Sequence, residues 1–299
     1  MKTTLIPTDQ YYREIISCAD DNQRNERYLQ WFVEPWKQMM DVMRTQFGAP
    51  SEDAFEGARI WRWLLPDQVE ETKALLKEME NANAWQMAEK AMQKAAACFE
   101  PYADQIPFDE ITGWLVLSNP VETSASVFGY TGATDWFNPR FICQYWDPKP
   151  ENMLRLGGTV SHEMHHLIRN RVYPFGPQTS VADYIIVEGM AESFATSIYG
   201  EECLGRYVSD ITETDLQISR QLMSKALNET GFDVIRGYIF GDKIAQTSGA
   251  KVVGGMPAFG GYAVGYHVVQ AYLKRSGKSI EEATFIPSME IIDQSGYFD

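Results

Sequence analysis

Histidine and cysteine are both scarce in this 299-residue chain, at four residues each. The cysteines, Cys18, Cys98, Cys143 and Cys203, are widely spaced and form no C-x-x-C pair. That argues against disulfides and cysteine-held zinc, and predicts reduced, buried thiols in a cytoplasmic protein. Basic residues are outnumbered, 26 Lys and Arg against 41 Asp and Glu, for a net charge of -15. Such a balance argues against nucleic acid and anionic membrane as partners, and its default meaning is a well-solvated surface. No stretch approaches the roughly 20 apolar residues of a membrane span, and the opening MKTTLIPTDQYY has no apolar signal core. Internal repeats and low-complexity segments are absent. The glycines at 254, 255, 260 and 261 are not embedded in a strand-turn-helix unit, which excludes a dinucleotide fingerprint. What is plentiful is hydrophobic side chain, 44% of the total, enough for one large or two modest domains.

Against that scarcity, three of the four histidines crowd into His162-Glu163-Met164-His165-His166. At this composition an H-E-x-x-H arises by chance in roughly 0.4% of chains. On a helix, positions four apart share a face, so His162 and His166 can point at one metal ion. Glu163 occupies the neighbouring face, placed to act on a water without ligating the metal. The surroundings predict that helix. Asp147-Pro148-Lys149-Pro150 suits a start near Pro150, apolar residues from Met153 to Ile168 recur at helical spacing, and Pro174 stops the run. Gly157 and Gly158 lie inside it, reading either as close packing or as local tolerance. His165 reads as a residue beside the site rather than a ligand.

A third ligand must come from elsewhere. The metzincin pattern would need Gly at 169 and His at 172, but the chain has Arg169 and Val172. A second apolar helix is expected at about 181–199, ending at Gly200, and it carries Glu188 and Glu192 four residues apart. Like charges at that spacing repel, and burying them unpartnered on an apolar helix costs much more. A metal on Glu188, with Glu192 accepting from the N–H of a ligand histidine, removes the conflict. The alternative, that both face solvent on an ordinary amphipathic helix, is disfavoured by the neighbouring H-E-x-x-H. Gly189 would then let two helices approach closely.

H-E-x-x-H followed about twenty residues later by an E-G-x-A-type helix resembles the gluzincins, the group of thermolysin and aminopeptidase N. Three segments, SHEMHHLIR (161–169), VEGMAESFA (187–195) and GYAVGYHVVQAYL (261–273), resemble a bacterial family of predicted zinc-dependent proteases still classed as a domain of unknown function; the opening IPTDQYY does so too. The resemblance covers most of residues 106–299 and, more weakly, the N-terminal part. It implies a gluzincin fold, one Zn2+ ion held by His162, His166 and Glu188, Glu163 as general base, and peptidase activity on peptides or unfolded protein. The chain departs from thermolysin in having Glu192 where that enzyme has an aspartate. It also lacks a G-x-M-E-N segment, which argues against aminopeptidase-N-like activity.

Gluzincins often use a tyrosine or histidine from outside the zinc helices to hold the oxyanion. The expected helix at 261–276 offers Tyr262, Tyr266 and His267, with the two tyrosines on one face. The predicted fold is α+β and mostly α. A helical lobe or lid spans 1–105, with helices at 9–19, 22–46 (interrupted at Pro35), Pro66–Glu80 and 84–99, whose Met and Trp stripes read as core. The catalytic domain spans 106–299 and opens with a small antiparallel sheet. Its strands are expected at 111–118 and 141–146, with a further short strand at 126–130. Residues near 120–130 read either as an edge that pairs with extended substrate or as an ordinary connection. Helices at 208–229 and 231–241 and a flexible glycine loop complete the pattern. Two other readings stay open: a zinc hydrolase of a non-peptide amide or ester, and a zinc-containing chaperone or interaction protein.

Overall fold

A computed structural model describes residues 1–47, 52–119 and 128–299. The fold class is α+β, mostly α. The chain divides into two compact units, one of residues 2–93 and 110–156, the other of Met1, residues 94–109 and residues 157–299. The units do not follow the expected cut into 1–105 and 106–299, because the strands group with the N-terminal helices.

In the first unit the chain runs through β1 (Lys2–Leu5), α1 (Thr8–Ser17), α2 (Asp21–Tyr28), α3 (Glu34–Phe47), α4 (Glu56–Ile60), α5 (Val69–Asn81) and α6 (Ala84–Cys98), whose last turn belongs to the second unit. It then enters β2 (Glu110–Leu117), β3 (Tyr130–Thr134), β4 (Arg140–Tyr145) and the single turn α7 (Pro150–Met153). The strand order is β1-β2-β4-β3. The sheet is mixed, not antiparallel as expected: β1 and β4 both run parallel to β2, and only β3 is antiparallel to β4. The cause is that the β3–β4 hairpin joins β2 through its second strand. Pairing through β3 would have made an antiparallel meander. A strand at 126–130 was expected. Residues 126 and 127 lie outside the described residues, as do 120–125 of the proposed substrate edge, and β3 begins at Tyr130. Pro35 does not break the long N-terminal helix. A π turn at Leu29–Val33 precedes it and Glu34 stays helical, so the missing amide is absorbed by a local widening. Trp36 forms core as expected, packing edge-on against Trp61 and Trp114 at 5.4 and 5.3 Å between centroids.

The second unit holds α8 (Leu156–Val172), α9 (Val181–Tyr199), α10 (Arg206–Ser209), α11 (Glu213–Met223), α12 (Phe232–Phe240), α13 (Asp242–Ser248), α14 (Gly260–Ser276), α15 (Ile280–Ala283) and α16 (Ser288–Ser295). Its axis is α9, apolar almost all round and buried from Val181 to Ala195 apart from Asp183 and Tyr184. Ser180 and Asp183 close its N-terminus in a reciprocal capping box, and Gly200 ends it at φ 84°. The helix expected at 208–229 is split, because the Thr212 side chain accepts from Asp215 N and starts a new helix at Glu213. The glycine loop before α14 is pinned. The Asp242 carboxylate accepts from the amides of Val253, Gly254, Gly255 and Met256. Burial pushes the Asp242 pKa up, and these amides outweigh it and hold it below its ordinary value. All four cysteines are thiols; Cys143 and Cys203 are buried, Cys18 and Cys98 only half-buried. Among the described residues, no helix is long and apolar enough to cross a membrane.

Candidate metal centre

Three buried helices build the site. Gly157 and Gly158 give α8 its close seat: a Cβ at the first would lie 2.7 Å from the Tyr199 ring, and one at the second 3.0 Å from Cys203 Sγ. Close packing is therefore their role. Gly189 does not face α8. A Cβ there would sit 2.1 Å from Gly265 O, and one on Gly265 would sit 2.1 Å from Ile185 O, so the contact it permits is that of α9 with α14.

The structure brings His162, His166 and Glu188 together. All three are buried and their donor atoms lie within 4.8 Å of one another. Glu188 Oε2 is 3.5 Å from His162 Nε2 and 3.3 Å from His166 Nε2. The two imidazoles stand 4.4 Å apart at 89°. Glu192 Oε1 lies 3.0 Å from His162 Nδ1, within hydrogen-bond distance. A proton on Nδ1 leaves the Nε2 lone pair directed at Glu188. Glu188 Oε2 accepts no hydrogen bond of good geometry among the described residues.

This donor set fits zinc. Ligand bonds of about 2.0–2.1 Å in a tetrahedron place neighbouring donors about 3.3–3.4 Å apart, close to the 3.3 and 3.5 Å that separate Glu188 from His166 and His162. Two imidazole nitrogens and a carboxylate oxygen suit a borderline dication, and three ligands leave one position of a tetrahedron open. Electrostatics agree. Burial opposes charge on His162, yet Glu188 and Glu192 outweigh it and push its pKa well up. Burial likewise raises the carboxyls of Glu188 and Glu192, but His166 and His162 pull the first down and His162 the second. The pocket thus holds anionic carboxylates that call for a cation. Glu163, buried beside them, is pushed up by burial, which suits a proton acceptor.

Of the three oxyanion candidates, Tyr262 faces the cluster. Its pKa is pushed well up, by burial first and then by the fields of Glu188, Tyr184, Glu163 and Glu192. Tyr266 points to Thr196, to which its hydroxyl is hydrogen-bonded. His267 stacks on Tyr297 with centroids 6.4 Å apart. His165 is fully buried between Phe99 and Phe194, its Nε2 3.0 Å from Thr284 Oγ1, away from the ligand atoms.

Three residues escaped sequence reasoning. Gly205 N donates to Glu192 Oε2 at 3.2 Å, and a Cβ at Gly205 would lie 2.9 Å from Glu192 Oε1. Tyr207 is hydrogen-bonded to Glu192 and packs on Tyr262, centroids 4.7 Å apart. Both lie at the start of a one-turn helix that carries no periodic signal. Tyr184 stands one turn before Glu188 on α9, a spacing that sequence could have offered.

The chain is 28% identical to "Uncharacterized protein YjfC" of Bacillus subtilis (strain 168), over 304 aligned residues that cover 100% of this chain and 99% of that one. No solved structure matches it. A family model matches residues 84–293, a span that contains α14 and both helices that carry the His162, His166 and Glu188 cluster, and so the chain belongs to the family described as "Predicted Zn-dependent protease (DUF2268)".

Proposed function

We propose that this protein is a zinc-dependent metallopeptidase that hydrolyses peptide bonds in peptides or unfolded segments, with one zinc ion on His162, His166 and Glu188. The observation that carries the reading is the convergence of three buried lone-pair donors, Glu188 Oε2 lying 3.5 and 3.3 Å from the His162 and His166 Nε2 atoms, with a further acid, Glu163, beside them. Bound there, zinc would supply Lewis-acid polarisation of the scissile carbonyl and a water of pKa near 7. Glu163 accepts that water's proton and delivers it to the leaving amine. A purely structural metal has no use for such a base, which favours enzyme over chaperone. Tyr262, kept protonated by its raised pKa, donates its O–H to the developing oxyanion. Glu192 fixes the tautomer and orientation of His162, and Gly205 N and Tyr207 hold Glu192 in turn. Four thiols and no disulfide agree with a cytoplasmic setting.

The test is a peptide library incubated with the zinc-loaded protein and read by mass spectrometry. Cleavage by the wild type is expected. Glu163→Gln should keep its zinc by elemental analysis and lose about 10²–10⁴-fold in turnover. Undiminished turnover in pure Glu163→Gln would remove the base. Hydrolysis confined to non-peptide amides or esters would replace the substrate class, and zinc binding with no hydrolysis at all would favour the chaperone.

A further inference from the structure

His165 is the one histidine of the H-E-x-x-H stretch that the proposed metal site leaves unused, and it is completely buried. Its ring lies against Phe99 and Phe194, with centroids 6.1 and 5.4 Å away, and those two rings are 5.1 Å from each other. Phe194 belongs to α9, the helix that carries Glu188 and Glu192. His165 Nε2 also meets Thr284 Oγ1, at the end of α15, at 3.0 Å. The Thr284 hydroxyl gives its own proton to Ile280 O at 2.9 Å, so Oγ1 accepts and Nε2 carries the hydrogen. Burial keeps the imidazole neutral, with one N–H only. Nδ1 is therefore a bare lone pair, and it has no hydrogen-bond partner among the described residues.

For a residue that only fills space, this arrangement is unfavourable. A buried acceptor left unpaired destabilises the fold. An apolar side chain of similar size would avoid that loss and still pack on two phenylalanines. It would strand nothing either, since the Thr284 hydroxyl keeps its bond to Ile280 O. What it could not supply is the N–H aimed at Thr284. The same threonine accepts at its carbonyl from Arg169 Nη1, at 2.6 Å. Positions 165 and 169 are one turn apart on α8, in the row beside His162 and His166. Two bonds from one row of a helix to one residue resist rotation of that helix about its axis. Rotation matters at the metal centre. A roll of about 10° carries an imidazole nitrogen about 6 Å off the axis through about 1 Å, several times the roughly 0.2 Å latitude of a zinc–ligand distance.

We propose that His165 is a positioning residue of the metal centre. Its single N–H, donated to Thr284, and its ring, held against Phe194, set the roll of α8 relative to α9. That roll fixes the separations of 3.5 and 3.3 Å between Glu188 Oε2 and the Nε2 atoms of His162 and His166. This rests on the reading of those three residues as the metal ligands. It makes His165 a residue that touches neither metal nor substrate and acts through the geometry of its helix.

Metal binding and stability, read side by side, test it. Full-length wild type, His165→Leu and His165→Gln are compared in three measurements: zinc affinity by competition with a chelating dye, the visible d–d spectrum of the cobalt(II)-loaded protein, and the denaturation midpoint in chelator. His165→Leu should bind zinc about tenfold more weakly and change the cobalt spectrum, while its metal-free midpoint is no lower than that of the wild type. A merely structural histidine predicts the opposite: a lower midpoint, with affinity and spectrum unchanged. The Nε2 of glutamine reaches the place of the imidazole Nε2, so His165→Gln should bring zinc affinity back to within about twofold of the wild type. Thr284→Val removes the acceptor and Thr284→Ser keeps it. The first should reproduce the zinc and cobalt changes and the second should not, and this pair serves if the leucine variant fails to fold. Unchanged affinity and spectrum in folded His165→Leu or Thr284→Val, or a loss in His165→Gln as deep as in His165→Leu, overturns the positioning role and leaves the metal reading standing. Wild type that binds neither zinc nor cobalt overturns both.

Discussion

Glu192 touches the metal centre through a single pair of atoms, its Oε1 and His162 Nδ1 at 3.0 Å. Its other oxygen is held by Gly205 N at 3.2 Å. On the proposed reading the carboxylate does two things: it selects the His162 tautomer, and its charge makes Nε2 a better donor to a metal. Glu192→Gln separates them. The amide oxygen still accepts from Nδ1, but the charge is gone. Zinc affinity should fall by about 10–100-fold, measured by competition with a chelating dye, while the far-ultraviolet circular dichroism stays the same. An unchanged affinity would mean that Glu192 is merely a buried acid near the site. Gly205→Ala reaches the same carboxylate by sterics, since its Cβ would press on Oε1 at 2.9 Å, and it should shift zinc affinity in the same direction.

Helices were legible wherever their signals were local. The expected span 181–199 is found as Val181–Tyr199, because Ser180, Asp183 and Gly200 mark its ends within a turn. The shared face of His162 and His166 follows from helical phase alone. Other elements depend on distant partners. Strand β1 has four residues, and its pairing with Glu110–Gly113 spans more than a hundred positions. No local pattern announces it or the parallel order it imposes. The choice among Tyr262, Tyr266 and His267 turned on where α14 crosses α9. The crossing falls at Gly265, which sends Tyr262 towards Glu188 and Tyr266 towards Thr196. Arg169 was read only as the residue that breaks the metzincin pattern. It is a strut for the metal helix instead: fully buried, it donates from Nη1 to Thr284 O at 2.6 Å and Ile286 O at 2.7 Å, and from Nη2 to Ser288 Oγ at 3.1 Å. Its guanidinium lies 4.0 Å from the Tyr173 ring, and Tyr173 OH donates to Phe285 O. One row of α8 is thereby bonded to the link between α15 and α16. Burial lowers the Arg169 pKa to about 10, which leaves it charged at neutral pH. Arg169→Met strands the buried Thr284 carbonyl and the half-buried Ile286 carbonyl and should cost about 3 kcal/mol in denaturant unfolding. A loss below about 0.5 kcal/mol, the range of ordinary surface changes, would show that the row bears little of the load.

At the scale of the molecule, the metal centre and the indole rings lie in different units. All eight tryptophans, from Trp31 to Trp146, fall within residues 2–93 and 110–156, while every proposed ligand falls within 157–299. Tryptophan fluorescence therefore watches the unit without the metal, and circular dichroism is weighted to the helices of both. Zinc bound only to the folded chain stabilises it by about 2.7 kcal/mol when free metal is 100-fold above Kd, and a chelator removes that term. Residues 93 and 94 are consecutive within α6, and residues 156 and 157 within α8, so a helix runs unbroken through two of the passages between the units, whereas the passage at 109–110 enters β2. Unfolding that starts at the metal centre has a continuous backbone along which to spread. Chelation is accordingly expected to lower both the fluorescence and the dichroism midpoints, by the same few degrees, in a single transition. A fluorescence midpoint that stays fixed while the dichroism curve turns biphasic would show that the units melt separately. Midpoints insensitive to chelator in protein of proven zinc content would show that the ion contributes nothing to the fold.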